Sequence, residues 1–349
     1  MSERPTSKQI RVGVVGTGWV STARHIPAFK RDRRATIAAV LDRNQSKAES
    51  IARQFRIPRS FQHLDEFLQE PLDVVSVCTP PWVHASVAEK ALQSGKHVLV
   101  EKPMTLTSEE GRHIEAVASE LGVLLCPAHN FLFSRSMQQA ETLIRKGETG
   151  EIQWAMGVQL SSWRRRLPTW LDELPGGLFF DEAPHLLYLM QHFLGDLEIE
   201  QAWRTNSPSD LQPKMERVEA RLQGAQGAGY LTMWTGAPVS EWLFVLYCSH
   251  AVLVLDLFRD ILIHLPPEKA HNASDVLKLT ARGTRQLWAG VGAMGIRHMR
   301  KQLFFGHDLL VKSFLDAVID RKASPVSAQM GWKTIALIEK VLQSASKTV

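Results

Sequence analysis

The sequence predicts an α/β chain in two parts: a doubly wound parallel sheet over residues 1–130, then an α+β part over residues 131–349 with a mainly antiparallel sheet. Three observations carry this. Short, nearly continuous apolar runs alternate with amphipathic helical stretches through the first third, the pattern of parallel strands covered on both faces. Near Gly147–Gly150 that alternation stops, and strand-like runs follow one another with short turns. The length, 349 residues, exceeds what one hydrophobic core usually organises.

In the first part, Ile10–Val15, Thr36–Leu41, Asp73–Thr79, His97–Glu101 and Val123–Ala128 read as strands. Ser46–Phe55, Val83–Gln93 and Ser108–Leu121 read as the intervening helices. Pro80–Pro81 and Pro103 stop strands, which places loops at the carboxyl edge of the sheet, where ligands bind in this architecture. In the second part Ile152–Leu160, Arg217–Leu222, Tyr230–Trp234, Trp242–Tyr247 and Ala251–Leu257 read as strands. A helix over Leu178–Leu194 interrupts them, and Asp308–Asp320 and Ala328–Ser344 close the chain as helices.

Composition narrows the function classes. A formal net charge of +5 is mild for this length, and a nucleic-acid partner is not expected without basic residues gathered on one face. Cys78, Cys126 and Cys248 are widely spaced, which argues against a disulfide framework or a zinc site. The polar start MSERPTSK lacks a signal-peptide core and no apolar run reaches transmembrane length, so a reduced, cytoplasmic setting is expected.

Three motifs could carry chemistry. Gly16-x-Gly18-x-x-Ser21 follows a strand and opens a helix, as in a Rossmann dinucleotide site. There the backbone approaches a pyrophosphate and the helix N-terminus supplies N–H groups. Asp42 closes the second strand, where an acid binds the ribose 2′-hydroxyl and repels a 2′-phosphate; NAD is therefore favoured over NADP, a preference that Arg43 weakens. Glu101-Lys102-Pro103 puts a lysine at the ligand edge, although a solvated lysine paired with Glu101 fits the spacing too. Asp181 and His185 are four apart and share one face of a helix. A histidine so placed can serve as general base near neutrality, or simply be structural. Pro184 between them sets the helix start near Asp181, because proline is tolerated in a first turn. No third ligand of metal-site spacing accompanies the pair, so no metal is expected.

Together these motifs resemble the Gfo/Idh/MocA oxidoreductase family. The resemblance rests on GVVGTGWVSTARHIPAF at Gly13–Phe29, CTPPWVHASVAEKAL at Cys78–Leu92, GKHVLVEKPMTLTSEE at Gly95–Glu110, AHNFLFS at Ala128–Ser134, KGETGEI at Lys146–Ile152, GGLFFDEAPHLLYL at Gly176–Leu189 and FLDAVIDRKASPVS at Phe314–Ser327. It implies an NAD(P)-dependent enzyme acting on sugar or cyclitol CH–OH groups. Lys102 would hold substrate and nicotinamide in register, His185 would take the hydroxyl proton, and Asp181 would bind a neighbouring hydroxyl or orient His185. Gly16, Gly18, Trp19, Val20, Asp42, Arg43 and Glu101 would serve the cofactor, with Thr79, Pro80, His84 and Asn130 lining its cleft. Two departures bear on substrate choice: Leu132 stands where many members have arginine, and Glu182 and Pro184 stand where small residues are common. Homo-oligomers are expected by the same analogy, through the open face of the second sheet.

Arg164, Arg165 and Arg166, between Trp163 and Trp170, suit an anionic or nucleotide-linked sugar; a solvated basic turn fits equally. The stretch 276–307 has no acidic residue, and it mixes Lys278, Arg282, Arg285, Arg297, Arg300 and Lys301 with large apolar residues. Such a mixture suits an anionic membrane surface and a peripheral or lipid-linked glycan role, nucleotide phosphates, or a subunit contact. Glycines 283, 290, 292 and 295 argue against one continuous helix there. Besides simple dehydrogenation, two other functions are compatible with the residues: redox-neutral glycoside cleavage or epimerisation with retained NAD, and a non-enzymatic NAD-binding sensor.

Overall fold

The computed structural model describes residues 9–165, 167–206, 216–268, 270, 272–300 and 305–345. The polar N-terminal start, Arg166 and Lys301, all used in the sequence reading, lie outside them. By internal contacts the chain divides into Met1–His129 with His307–Ile335, and Asn130–Gly306 with Ala336–Val349.

The first unit is a parallel sheet of β1 (Ile10–Val15), β2 (Ala35–Leu41), β3 (Arg59–Phe61), β4 (Val74–Val77), β5 (His97–Val100) and β6 (Leu125–Pro127). Their spatial order is β3-β2-β1-β4-β5-β6, so the order reverses between β1 and β4, the switch point at which such sheets bind ligands. The connecting helices are α1 (Ile26–Arg31), α2 (Gln45–Phe55), α3 (Leu64–Leu68), α4 (His84–Gln93) and α5 (Ser108–Glu120). Valines dominate the central strands because both faces are covered: Val12, Val14, Val75, Val77, Val98 and Val100 are all fully buried. The start of α5 is set by Thr107 and Glu110, which form a reciprocal capping box.

In the second unit, α6 (Arg135–Arg145) leads into β7 (Ile152–Ser162), α7 (Gly177–Leu194), β8 (Leu197–Asn206), β9 (Glu216–Gly224), β10 (Gly227–Ala237), β11 (Glu241–Cys248), β12 (Ala251–Asp256), β13 (Ile261–Leu265) and α8 (Ala273–Met299). The sheet order is β13-β12-β11-β7-β10-β9-β8, antiparallel except between β7 and β10. The α7 helix lies along one face, where Gly157 of β7 admits Leu186 and Met190. The chain then returns to the first unit with α9 (His307–Asp320) and the first part of α10 (Ala328–Ala345).

The fold class is the one the sequence predicts, and two local readings need correction. The first concerns α7, which begins at Gly177 after Gly176 (φ 82°), in line with the predicted range Leu178–Leu194 and not with the start near Asp181 inferred from Pro184; the proline therefore sits inside the helix. Burial of almost the whole helix outweighs the hydrogen bond that the proline ring removes. The second concerns α8, a single helix of 27 residues despite its glycines. A Cβ on Gly290 would meet Ile261 at 2.7 Å, so that glycine lets the helix lie close on β13, and the packing offsets the lost helical propensity.

Candidate functional site

Because β1, β2, β4 and β5 are parallel, their carboxyl ends share one edge of the first unit. Gly16 follows β1 there with φ 88°, and a Cβ on it would lie 2.6 Å from the Cys78 carbonyl oxygen, so only glycine fits. A Cβ on Gly18 would meet nothing within 4 Å, which leaves its backbone open to an approaching ligand. The chain then enters a wide π-type turn, Ser21–His25, that runs on into α1. Ser21, at the position of a third glycine, is buried and donates its hydroxyl to the Gly18 carbonyl at 2.9 Å. Trp19 is exposed at this turn, with the Arg24 guanidinium 5.1 Å from its ring centroid, and Val20 is half-buried.

Asp42, just after β2, is bonded directly to the glycine turn. Its Oδ2 accepts from the Thr17 N–H at 3.0 Å and the Thr17 hydroxyl at 2.5 Å, and its Oδ1 accepts from the Asn44 N–H at 3.0 Å. Burial works against its charge, but these hydrogen bonds and the Lys47 ammonium, 3.4 Å from Oδ2, hold its carboxyl below its ordinary pKa. Arg43 is exposed, whereas Lys47, a cation the sequence reading did not single out, stands beside the acid. Thr79 and Pro80 follow β4, and the buried Thr79 Oγ1 has no partner, a polar atom suited to a ligand. His84 is buried, with Nδ1 2.7 Å from the Pro103 carbonyl and Nε2 2.7 Å from the Thr79 carbonyl; it ties together the loops after β4 and β5. Burial lowers its pKa despite the two acceptors.

Glu101 follows β5 inside a network absent from the sequence reading. Its Oε1 lies 2.6 Å from His25 Nε2 and 3.8 Å from His307 Nε2, and its Oε2 accepts the Lys102 N–H at 3.1 Å. His25 Nδ1 in turn meets the Ser76 hydroxyl at 2.8 Å. Burial opposes both charges, yet Cys78 and Glu101 raise the His25 imidazole, and His25 and His307 hold the Glu101 carboxyl well below its usual range. These three side chains could in principle hold a metal ion. Ligands of a tetrahedral zinc stand roughly 3.3 Å apart, so the direct His25–Glu101 contact of 2.6 Å fits an ion pair instead. Lys102 is half-buried directly after this pair.

In the second unit, the buried His185 has its Nδ1 3.0 Å from the Tyr188 hydroxyl, which also accepts the Phe131 N–H at 3.0 Å. Phe131 and Trp242 pack on the imidazole at centroid distances of 4.8 and 5.1 Å. Tyr188 was missed in the sequence, although its i+3 spacing from His185 is the signal that finds it. Asp181 is half-buried on the same helix. Glu182, one of the family departures, is buried and paired with Arg165, and it accepts from Gln159 and from Ser161. The charge of Arg165 is thus used within the unit, while Arg164 is exposed over Trp163 and Trp170 is half-buried. Asn130 donates to the Phe305 carbonyl at 2.8 Å.

The carboxyl edge of the first sheet has the features of a Rossmann dinucleotide site: the Gly18 backbone is open, Asp42 follows the second strand, and the Thr79 hydroxyl is unsatisfied. The fold is that of Rossmann-type dinucleotide-binding proteins. Residues 10–129, the first sheet and its helices, match the family described as "Oxidoreductase family, NAD-binding Rossmann fold". It is 31% identical over 192 residues to dTDP-3,4-didehydro-2,6-dideoxy-alpha-D-glucose 3-reductase of Saccharopolyspora spinosa, covering 54% of this chain and 57% of that one. It is 29% identical over 190 residues to scyllo-inositol 2-dehydrogenase (NADP(+)) of Bacillus subtilis, covering 53% and 52%. The matched region spans about half the length of these curated relatives. In fold it is similar to the WlbA dehydrogenase from Bordetella pertussis in complex with NADH and UDP-GlcNAcA, with TM-score 0.76, 20% identity and coverage of 99% and 97%.

Proposed function

We propose that the protein is an NAD(H)-dependent oxidoreductase acting on a sugar, cyclitol or nucleotide-sugar CH–OH group or the matching ketone. The carrying observation is that one edge of the parallel sheet gathers the Gly16–Gly18 turn, Asp42, Thr79 and the Glu101–Lys102 step. Asp42, with two oxygens already oriented by Thr17 and Asn44, would accept from ribose hydroxyls and disfavour a 2′-phosphate, so NAD is the cofactor we infer; Lys47 and Arg43 moderate that preference. A bound nicotinamide supplies the hydride acceptor or donor.

The chain's own residues do the rest. In oxidation, His185 takes the substrate O–H proton, with its ring oriented by the Tyr188 hydroxyl. The Lys102 ammonium donates to the reacting oxygen and eases its deprotonation, and its backbone is fixed by Glu101. Asp181 binds an adjacent hydroxyl, and Asn130, Arg164 and Trp170 contribute to substrate choice, with Arg164 favouring an anionic group. Self-association through the half-buried apolar residues Trp154, Met156, Val158, Tyr230 and Leu243, on the sheet face away from α7, completes the reading. The free cysteines, Cys78, Cys126 and Cys248, suit a reduced cytoplasmic setting.

The test is a panel of sugars, cyclitols and nucleotide sugars assayed for net NADH formation, with a deuterated carbinol for the best substrate. Net NADH with a primary isotope effect, lost in Lys102→Ala and His185→Ala, supports the proposal. Turnover without net NADH points to redox-neutral chemistry. Binding of NADH with no turnover on the panel points to a sensor.

A further inference from the structure

The inner side of α8 is fixed by its partners. Gly283 faces Ile263 and Leu265, and Gly290 faces Ile261. Gln286 accepts the His264 N–H at 2.7 Å, Arg282 Nη2 lies 3.2 Å from His264 Nδ1, and Arg297 pairs with Asp260 at 2.5 Å. Positions 282, 283, 286, 290 and 297 therefore form one face of the helix. With about 100° of rotation per residue, Leu277, Ala281, Trp288, Gly292 and Met299 lie on the opposite face. Leu277 is 69%, Trp288 68% and Met299 75% exposed. Lys278 and Arg285 flank this stripe, both exposed, and Arg300 follows it. From Val276 to Arg300 the sequence has no aspartate or glutamate.

We propose that α8 is a peripheral docking helix for an anionic lipid surface, laying Leu277, Trp288 and Met299 at the boundary of headgroups and acyl chains while Lys278, Arg285 and Arg300 meet lipid phosphates. Charge selects the occupant. A second copy of the helix would bring the same cations to the stripe with no acid to answer them. Shape selects it too: the stripe is the convex outside of a single helix, and the open space at Gly292 and Gly295 offers no wall against which a folded partner could seat. A fluid surface needs no complementary groove, and tryptophan is favoured at its interface. Among the described residues no helix is long and apolar enough to cross a membrane, so the mode is one of lying on the surface. The inference is independent of the catalytic reading.

The experiment uses the full chain and sucrose-loaded vesicles of phosphatidylcholine alone or mixed with phosphatidylglycerol. Each exposed cation strengthens binding to an anionic surface roughly fivefold, so the mixed vesicles should bind at least about tenfold more tightly, with release at high salt. Leu277→Ser with Trp288→Ser should abolish sedimentation and leave NADH binding unchanged, because both side chains are largely exposed. Lys278→Gln with Arg285→Gln should remove the preference for phosphatidylglycerol. The proposal is overturned if the protein sediments with neither vesicle, binds both equally, or keeps its binding in the serine variant. It is also overturned if sedimentation equilibrium shows a dimer that Trp288→Ser dissolves.

Discussion

His25 Nε2 stands 2.6 Å from Glu101 Oε1, and the other oxygen of that carboxylate receives the N–H of Lys102. A buried ion pair thus holds the backbone from which the proposed catalytic lysine projects. Removing one partner leaves the other charge buried and unanswered. We predict that His25→Leu lowers stability by about 3–5 kcal/mol, read from the urea midpoint, whereas His25→Leu with Glu101→Leu recovers much of the loss. The recovered double variant should still show a reduced kcat, because Lys102 has lost its anchor. A double variant no more stable than the single one would show that the pair is not coupled.

The same pair gives stability a defined pH window. The His25 pKa is raised in the fold, to about 10, so its contribution is complete below the unfolded histidine value and is lost as pH rises through the folded one. The Glu101 pKa is depressed, so its contribution is complete above the unfolded glutamate value and is lost as pH falls. Stability should therefore decline on both the alkaline and acid sides in the native chain. Glu101→Gln should flatten the difference between neutral and alkaline pH, and an unchanged pH profile would contradict the pairing.

Gly16→Ala places a Cβ where the Cys78 carbonyl stands, at a backbone angle that alanine rarely adopts. NADH affinity, measured by fluorescence titration, should fall by tenfold or more, equivalent to about 1.4 kcal/mol at least. Asp42→Ala should weaken NADH similarly and narrow the gap to NADPH, because Lys47 is then released from the acid. An Asp42→Ala protein that kept its full preference for NADH would refute the role given to the acid.

Tyr188→Phe removes the hydroxyl that meets His185 Nδ1 and accepts the Phe131 N–H. Loss of the acceptor should cost about 1–3 kcal/mol of stability. The pH–rate profile should shift as well, since the imidazole has lost a partner, and kcat should fall more than KM changes. Stability loss with an unshifted profile would make Tyr188 purely structural.

Five of the six strands of the first sheet were legible because, buried on both faces, they announce themselves as apolar runs; β3, three residues long and partly exposed, was not. β8 was not, since a bulge between Ile199 and Gln201 shifts the register and breaks the alternation that marks a strand. The continuity of α8 was hidden for a related reason: glycine lowers helical propensity wherever it stands, and only the structure shows that Gly283 and Gly290 face β13. At the proposed site, the places of Asp42 and Lys102 after strands and of His185 on a helix were legible, while the roles proposed for Lys102 and His185 came from the family resemblance. His25, 76 residues from Glu101, carried no local signal that it would meet that carboxylate. The compensation of Glu182 by Arg165 was equally invisible, because it joins two segments that looked unrelated, a basic turn and an odd acid in a helix.

The late return of the chain has a consequence for how the molecule is made. His307 of α9 approaches Glu101, and Asp316 of the same helix pairs with Arg34, so the first unit is finished by residues translated long after its sheet. During synthesis its six strands emerge well before this cover, and the histidine–carboxylate network waits for its third member until the strands of the second unit have been made. A fragment stopped at residue 129 would be an unfinished half rather than a portable cofactor-binding module.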